Sequence, residues 1–252
     1  MIQLKRDYQI DGIRKSCKLL AECLLRLDEI IAPGISTYDI DRFCYDFIKQ
    51  HHAIPSCLGY EGYPASACVS PNEVVIHGIP SKKKILHEGD IVSVDLCITL
   101  DGYVSDSTRT YEVGKVSEEK HKLNTVTRES LDAGIAAASK KGARILDVGA
   151  AVFKKAFSEN GYGVVRDFTG HGVGFDLHEE PEVPNFVDRA MPNPRIKPGL
   201  VFAIEPMINM GSWQVDILKD GWTVVTRDGK PACHWEHTVA MTENGLEVLT
   251  VL

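Results

Sequence analysis

Apolar residues in the first stretch of the chain fall at Ile10, Ile13, Cys17, Leu20, Leu24, Leu27 and Ile31, in alternating steps of three and four. That period predicts an amphipathic helix over about residues 7–32 lying on a core, closed by Pro33-Gly34. Ser36, followed three residues later by Asp39, forms an acidic capping box that opens a second helix through Phe43 and Phe47 to about Gln50. The helical period is then lost. Residues 53–80, rich in Gly, Pro and Tyr, read as short strands and loops of the kind that carry function on a rigid scaffold. Lys82-Lys83-Lys84 reads as a solvated charge run.

A two-residue alternation takes over at 90–110 and organises the rest. Val92, Val94, Leu96, Ile98, Leu100 and Tyr103 are assigned to one face, and Asp95, Cys97 and Asp106 to the other. Asp101-Gly102 between the runs is a hairpin signal, because both central residues of a type I′ turn need positive φ. A two-residue loop sets Leu100 opposite Tyr103 and Cys97 opposite Asp106. Asp95 and Asp106 then become diagonal neighbours with Cα atoms about 7–8 Å apart. Two carboxylates so close on rigid strands repel unless a positive charge sits between them, so this face meets either water or a cation.

Further on, Ser117 is the expected N-cap of a long helix, with Glu118 and Glu119 in its first turn and Lys140-Lys141-Gly142 at its end. Another helix is expected from about Asp147 to Asn160. Residues 161–178 are Gly-rich and include His171-Gly172-Val173-Gly174 and His178, and residues 179–198 read as a Pro-rich surface loop. Strand-like runs follow at 200–205 and 236–241. The spacing from Gly34 to Asp39-Ile40 repeats from Gly142 to Asp147-Val148, and that from Gly89 to Asp95 repeats from Gly199 to Glu205. Helix, helix, strand with an inward carboxylate thus occurs twice. This predicts two halves, about 1–115 and 116–252, of a single domain, with Asp95 and Glu205 meeting where they join.

Composition narrows the class. At 252 residues, 44% hydrophobic and 25% charged, the chain can bury a sizeable core, and a net charge of −7 gives no reason to expect nucleic acid or an anionic membrane as partner. Seven cysteines, an odd number with no Cys-x-x-Cys, argue for reduced thiols in a cytoplasmic protein. The N-terminus has no apolar signal region, and no window approaches the roughly 20 apolar residues of a membrane span.

Glu205 ends an apolar strand and is followed by Pro206, away from a solvated edge, and Glu236 starts another apolar run. A buried carboxylate is costly unless paired or metal-bound. Asp95, Asp106, Glu205 and Glu236 with one histidine make a carboxylate-rich cage that calls for two divalent cations, which in such sites lie about 3.5–4 Å apart. The oxygen-rich set suits Co, Mn, Fe or Zn.

The stretches Cys57-Leu58-Gly59-Tyr60-x-Gly62-Tyr63-Pro64, 72–80 with His77, Asp95 with 106–110, His171-Gly172-x-Gly174 with His178-Glu179-Glu180-Pro181, Ile204-Glu205-Pro206, Lys219-Asp220-Gly221-Trp222-Thr223 and Glu236-His237-Thr238 resemble the type I methionine aminopeptidases over nearly the whole chain, in their short bacterial form. The resemblance implies an α/β pita-bread fold, with pseudo-two-fold halves and a curved antiparallel sheet covered by helices. It implies a dinuclear metal centre on Asp95, Asp106, His171, Glu205 and Glu236, with Asp106 and Glu236 bridging. The implied reaction is hydrolytic removal of the N-terminal methionine from new proteins with a small second residue. It uses a metal-bridged water, with Glu205 as proton shuttle, His178 at the developing oxyanion and His77 near the scissile nitrogen. The implied methionine pocket comprises Cys57, Tyr60, Tyr63, His77, Trp222 and a variable wall at Leu177, where many relatives carry an aromatic residue. Cys233-His234-Trp235 is a second departure, expected to bear on specificity and not to touch a ligand. The implied partners are N-termini of nascent proteins, with a ribosome contact left open, and a monomer is expected. Two other readings compete. One is a proline-recognising peptidase of the prolidase or aminopeptidase P kind, which usually carries an extra N-terminal domain. The other is a non-enzymatic pita-bread binding protein, relatives of which have lost metal ligands.

Overall fold

The computed structural model describes residues 1–252. The first expected helix forms as α1 (Asp7–Arg26), ending earlier than the apolar period and passing into a 3-10 turn at Leu27–Glu29. The second, α2 (Thr37–Gln50), opens as its capping box dictates: the Asp39 backbone N–H donates to Ser36 Oγ, and the Ser36 N–H donates to the Asp39 carboxylate. Both pack on Val92, Val94, Leu96 and Ile98, the apolar face of the hairpin, in one continuous core.

The hairpin has the expected register. Ile91–Leu100 pairs with Tyr103–Glu112, setting Leu100 opposite Tyr103, Cys97 opposite Asp106 and Asp95 opposite Thr108. Asp101 and Gly102 both take positive φ, +50° and +81°. Tyr103, directly opposite Leu100, lies against Gly12 of α1, beside the core that Leu100 joins. Ala67–Pro71 and Ile54–Pro55 complete this sheet along the other edge of Ile91–Leu100.

The second half repeats the plan. The helix α3 (Glu118–Ala138) is capped by Ser117, and α4 (Ile145–Phe153) starts two residues before the expected point and ends in a π-helical turn, Lys154–Ser158. The lysines expected in the last turn of α3 fall beyond it. Both helices cover an antiparallel five-stranded sheet ordered Gly245–Val248, His237–Thr242, Val201–Ile204, Gly170–Gly172, Glu179–Val183. The last strand corrects the expectation of a loop over 179–198. Glu179–Val183 pairs with Gly170–Gly172, and only the residues after it form the connection. Pro and Glu content hid it, because an edge strand tolerates both.

The echo in sequence has a counterpart in hydrogen bonds. Asp39 and Asp147 each accept from the backbone N–H three residues earlier. Ser36 bridges Ile85, and Arg144 bridges Arg195. Leu86 donates to the Ile35 carbonyl at 2.8 Å, and Ile196 to that of Ala143 at 2.9 Å. Ile85 and Arg195 stand at the same distance along the chain before Asp95 and Glu205, as do Leu86 and Ile196. Two small three-stranded sheets, one of them containing Ala232–His234 and Met207–Asn209, fill in between.

Candidate active site

The strand Tyr103–Glu112 is where the halves meet, and residues 234–238 run along its outer edge. Ser107 Oγ donates to the Glu236 carbonyl at 2.6 Å, and the Glu236 N–H donates to the Thr108 carbonyl at 2.9 Å. Thr238 Oγ1 donates to the Asp106 carbonyl at 2.7 Å, and Thr110 Oγ1 to the His234 carbonyl at 2.8 Å. This row of hydroxyls satisfies the backbone of residues 234–238 and brings Glu236 onto the hairpin beside Asp106. Thr108 Oγ1 then donates to Glu236 Oε2 at 2.8 Å.

Glu205 arrives from the neighbouring strand. Phe202 and Ile204 face the α3–α4 core, so the alternation sends Glu205 to the opposite side. The strand Gly170–Gly172 adds His171, whose Nε2 lies 3.4 Å from Glu205 Oε1 and 3.6 Å from Asp106 Oδ2. His171 Nδ1 is anchored on the Gly172 carbonyl at 2.9 Å, which leaves Nε2 directed at the carboxylates. Asp95, Asp106, His171, Glu205 and Glu236 therefore converge on the floor of one cavity of about 600 Å³. Its wall carries Cys57, Tyr60, Tyr63, His77, Leu177, His178 and Trp222, so every site residue proposed from sequence lines this one cavity.

Four carboxylates share this floor, and no lysine or arginine lines the cavity. Burial and the neighbouring negative groups push Asp95 up to about 7, and burial pushes Glu205 up to about 8. Asp106 and Glu236 are driven well above the carboxylate range by burial and by the other acids. Asp95 Oδ1 and Glu236 Oε1 are buried without a hydrogen-bond partner. Orphaned anionic oxygens around a shared centre, with neutral histidine beside them, fit divalent cations, which satisfy the lone pairs and reverse the cost of ionisation. Burial holds His171 near 3, so its ring is the neutral form that a cation requires.

The wall is built to hold its shape. His77 sits at φ +56°, a strained value for a non-glycine residue. Its neighbour secures it: Gly78 N–H donates to Ser70 Oγ at 3.2 Å, and the Gly78 carbonyl accepts from Val69 N at 2.9 Å and from Tyr63 Oη at 3.0 Å. A Cβ on Gly78 would lie 2.4 Å from the Val69 carbonyl oxygen, so only glycine allows this approach. Trp222 stands edge-on to both Tyr63 and His77, and Phe168 closes the far side of His77. His178 takes a 2.7 Å hydrogen bond with Tyr60 Oη through Nδ1 and stacks edge-on against His171. Its loop is pinned by Glu179, which accepts from the Phe175 and Asp176 N–H groups and pairs with buried Lys5.

Four neighbours escaped the sequence reading. Cys97 donates from Sγ to Asp106 Oδ1 at 3.1 Å, and Cys68 lies in the cavity wall with Cys57. The period-two pattern already set Cys97 on the Asp face; only its chemistry was passed over. Phe168 carried no pattern signal. His234 is the largest surprise: a residue expected to touch no ligand has its Nε2 3.5 Å from Glu205 Oε2. Trp235 points the other way, with Nε1 donating to Asn124 Oδ1 at 2.7 Å, so it does not line this cavity.

Comparison with known proteins agrees with this geometry. Residues 11–243 match the metallopeptidase family M24. The methionine aminopeptidase of Clostridium acetobutylicum is 47% identical over 251 residues, covering 100% of this chain and 99% of that one. Crystal structures of methionine aminopeptidases from Rickettsia prowazekii and Thermotoga maritima superpose with a TM-score of 0.95 each, at 38% and 40% identity and over 100% of both chains. The fold is thus the expected pita-bread arrangement. Full-length similarity at this level decides the question that the carboxylate floor raised: the chain belongs to the M24 metallopeptidases and, within them, to the methionine aminopeptidases, metal-dependent hydrolases of the peptide N-terminus.

Proposed function

We propose that this enzyme removes the N-terminal methionine of new proteins whose second residue is small, as one catalytic domain of two related halves, about 1–115 and 116–252. The observation that carries the reading is the convergence of five candidate ligands on the floor of a cavity whose wall is aromatic and thiol-lined. Asp95, Asp106, His171, Glu205 and Glu236 would hold two divalent ions, of Co, Mn, Fe or Zn. Such ions supply Lewis-acid polarisation of the scissile carbonyl and acidify water.

The chain's own groups do the rest. Glu205, on the cavity floor, is placed to accept a proton from the attacking water and return it to the leaving amine. His178 is held by Tyr60 beside His171, where it can donate to a developing oxyanion. His77 is pushed down to about 4 by burial, so it is neutral and can exchange a hydrogen bond with the scissile nitrogen. Cys57, Tyr63, Trp222 and Leu177 give an apolar, polarisable slot that suits an unbranched thioether. The expected partners are nascent N-termini, met by a cytoplasmic monomer, with a ribosome contact as a further candidate. No helix is long and apolar enough to cross a membrane, and all seven cysteines are free.

The test is turnover of Met-Ala-Ser against Gly-Pro and Xaa-Pro peptides, with metal analysis of the same preparation. Release of methionine from Met-Ala-Ser alone is expected. Preferential cleavage before proline, or no cleavage by metal-replete protein, would overturn the reading.

A further inference from the structure

His234 is 2% exposed, and neither of its ring nitrogens has a hydrogen-bond partner. Buried polar groups are almost always satisfied, so an orphan of this kind calls for a physical reason. The backbone cannot easily yield. The His234 N–H reaches Ser93 Oγ and Thr110 Oγ1, both at 3.2 Å, its carbonyl accepts from Thr110 Oγ1 at 2.8 Å, and the residue pairs in register with Met207. The hydroxyl row that docks the halves thus also fixes where this ring stands.

The ring stands against Glu205. His171 Nε2 is 3.4 Å from Oε1, and His234 Nε2 is 3.5 Å from Oε2, so the carboxylate lies between two imidazoles. The two are not equivalent. His171 lines the cavity, whereas His234 sits behind its floor. We propose that His234 is the positioning residue of Glu205: its Nε2–H donates to Oε2, fixing the rotation of the carboxylate and leaving Oε1 toward the cavity. The inference rests on the reading of Glu205 as ligand and proton carrier. A closure of about 0.6–0.8 Å brings the contact to the usual length of a charge-assisted hydrogen bond. Contacts of this kind are commonly long in a resting site and tighten when it is loaded. A carboxylate that is both a ligand and a proton carrier needs one oxygen held while the other works, and partners that orient ligands typically govern metal affinity or activity by about 10–100-fold.

The experiment compares wild type, His234→Leu, His234→Asn and His234→Gln. Mn²⁺ affinity is measured by calorimetry on stripped protein, and kcat and KM are measured on Met-Ala-Ser with Mn²⁺ present. His234→Leu has no donor, and the Asn amide is too short to reach Oε2. Both are expected to bind Mn²⁺ about 10–100-fold more weakly and to lose kcat, with KM changed less than about threefold. The Gln amide can donate from near the imidazole Nε2 position and is expected to recover to within about tenfold of wild type. Wild-type affinity and kcat in His234→Asn or His234→Leu overturn the proposal, as does a Gln variant as impaired as Asn, which would assign the ring a packing role. Glu205→Gln in the same series tests the underlying reading separately: if it keeps full Mn²⁺ affinity and kcat, the role given to Glu205 fails, whatever His234 does.

Discussion

Removing divalent ions should reverse the pH dependence of this protein's stability. Burial and crowding raise Asp95 from 3.8 to about 7 and Glu205 from 4.5 to about 8. A carboxyl raised on folding keeps its proton where the unfolded chain has lost it. Its contribution is therefore present at low pH and is lost as pH climbs through the folded value. Buried histidines run the other way: His77, His171, His234 and His237 are lowered to about 4, 3, 4 and 4 by burial. Their effect rises with pH to about 6.5 and is level beyond about 7.5. Across about pH 6.5 to 8.5, at 1.36 kcal/mol per pH unit, Asp95 gives up about 1 kcal/mol and Glu205 about 2 kcal/mol, while the four histidines, half protonated at about pH 6.5 when unfolded, return about 0.4 kcal/mol each. The net loss is about 1.5 kcal/mol, and at about 2–4 °C per kcal/mol for a chain of this size the melting temperature of stripped protein should fall by about 3–6 °C. Asp95→Asn removes one of these groups and should flatten the fall by more than half. With saturating Mn²⁺ the cation binds the ionised carboxylates and binding releases their protons, so stability should hold or rise over the same window. Calorimetric melts at constant ionic strength, with and without Mn²⁺ after chelator dialysis, make the measurement. A level melting temperature in the stripped protein, or an equal fall with Mn²⁺ present, refutes the reasoning.

Asp106→Asn should lose most bound metal and nearly all turnover, because a proposed anionic ligand becomes a neutral amide; normal metal content by elemental analysis would sink the two-metal reading. His178→Ala should keep its metal and lose about 10²–10³ in kcat, as for one oxyanion donor; loss of metal there would mean that the roles of His171 and His178 are exchanged. In the first position, norleucine should be cleaved within about tenfold of methionine, since a sulfur–aromatic contact is worth about 0.3–1.5 kcal/mol. Valine should be far poorer, and equal kcat/KM for Val-Ala-Ser and Met-Ala-Ser would reject the pocket. In the second position, Gly, Ala or Ser should work and bulky residues should not, measured on a Met-Xaa-Ser series.

Much of this enzyme was legible in the chain itself. Helix α1, the capping box at Ser36 and the hairpin register depend on local periodicity, one side-chain cap and a two-residue turn, all of which act within a few residues. The repeated spacing that placed Asp95 and Glu205 on equivalent strands is likewise a property of the sequence, and the matched backbone bonds to Ile85 and Arg195 follow from it. Tertiary structure decided what each face would meet. Alternation put Asp95, Cys97 and Asp106 together but could not say that Ser107, Thr108 and Thr110 would dock residues 234–238 there, because that contact spans about 130 residues of chain. The strand Glu179–Val183 exists because Gly170–Gly172 offers it an edge, against its own composition. His234 shows the limit most clearly. Its neighbours in sequence, Cys233 and Trp235, are packed in apolar clusters on other sides, and nothing local distinguishes it from them. Its ring reaches Glu205 only because two strands from the second half are laid across the hairpin of the first, and long-range docking of that kind is set by the packing of whole layers.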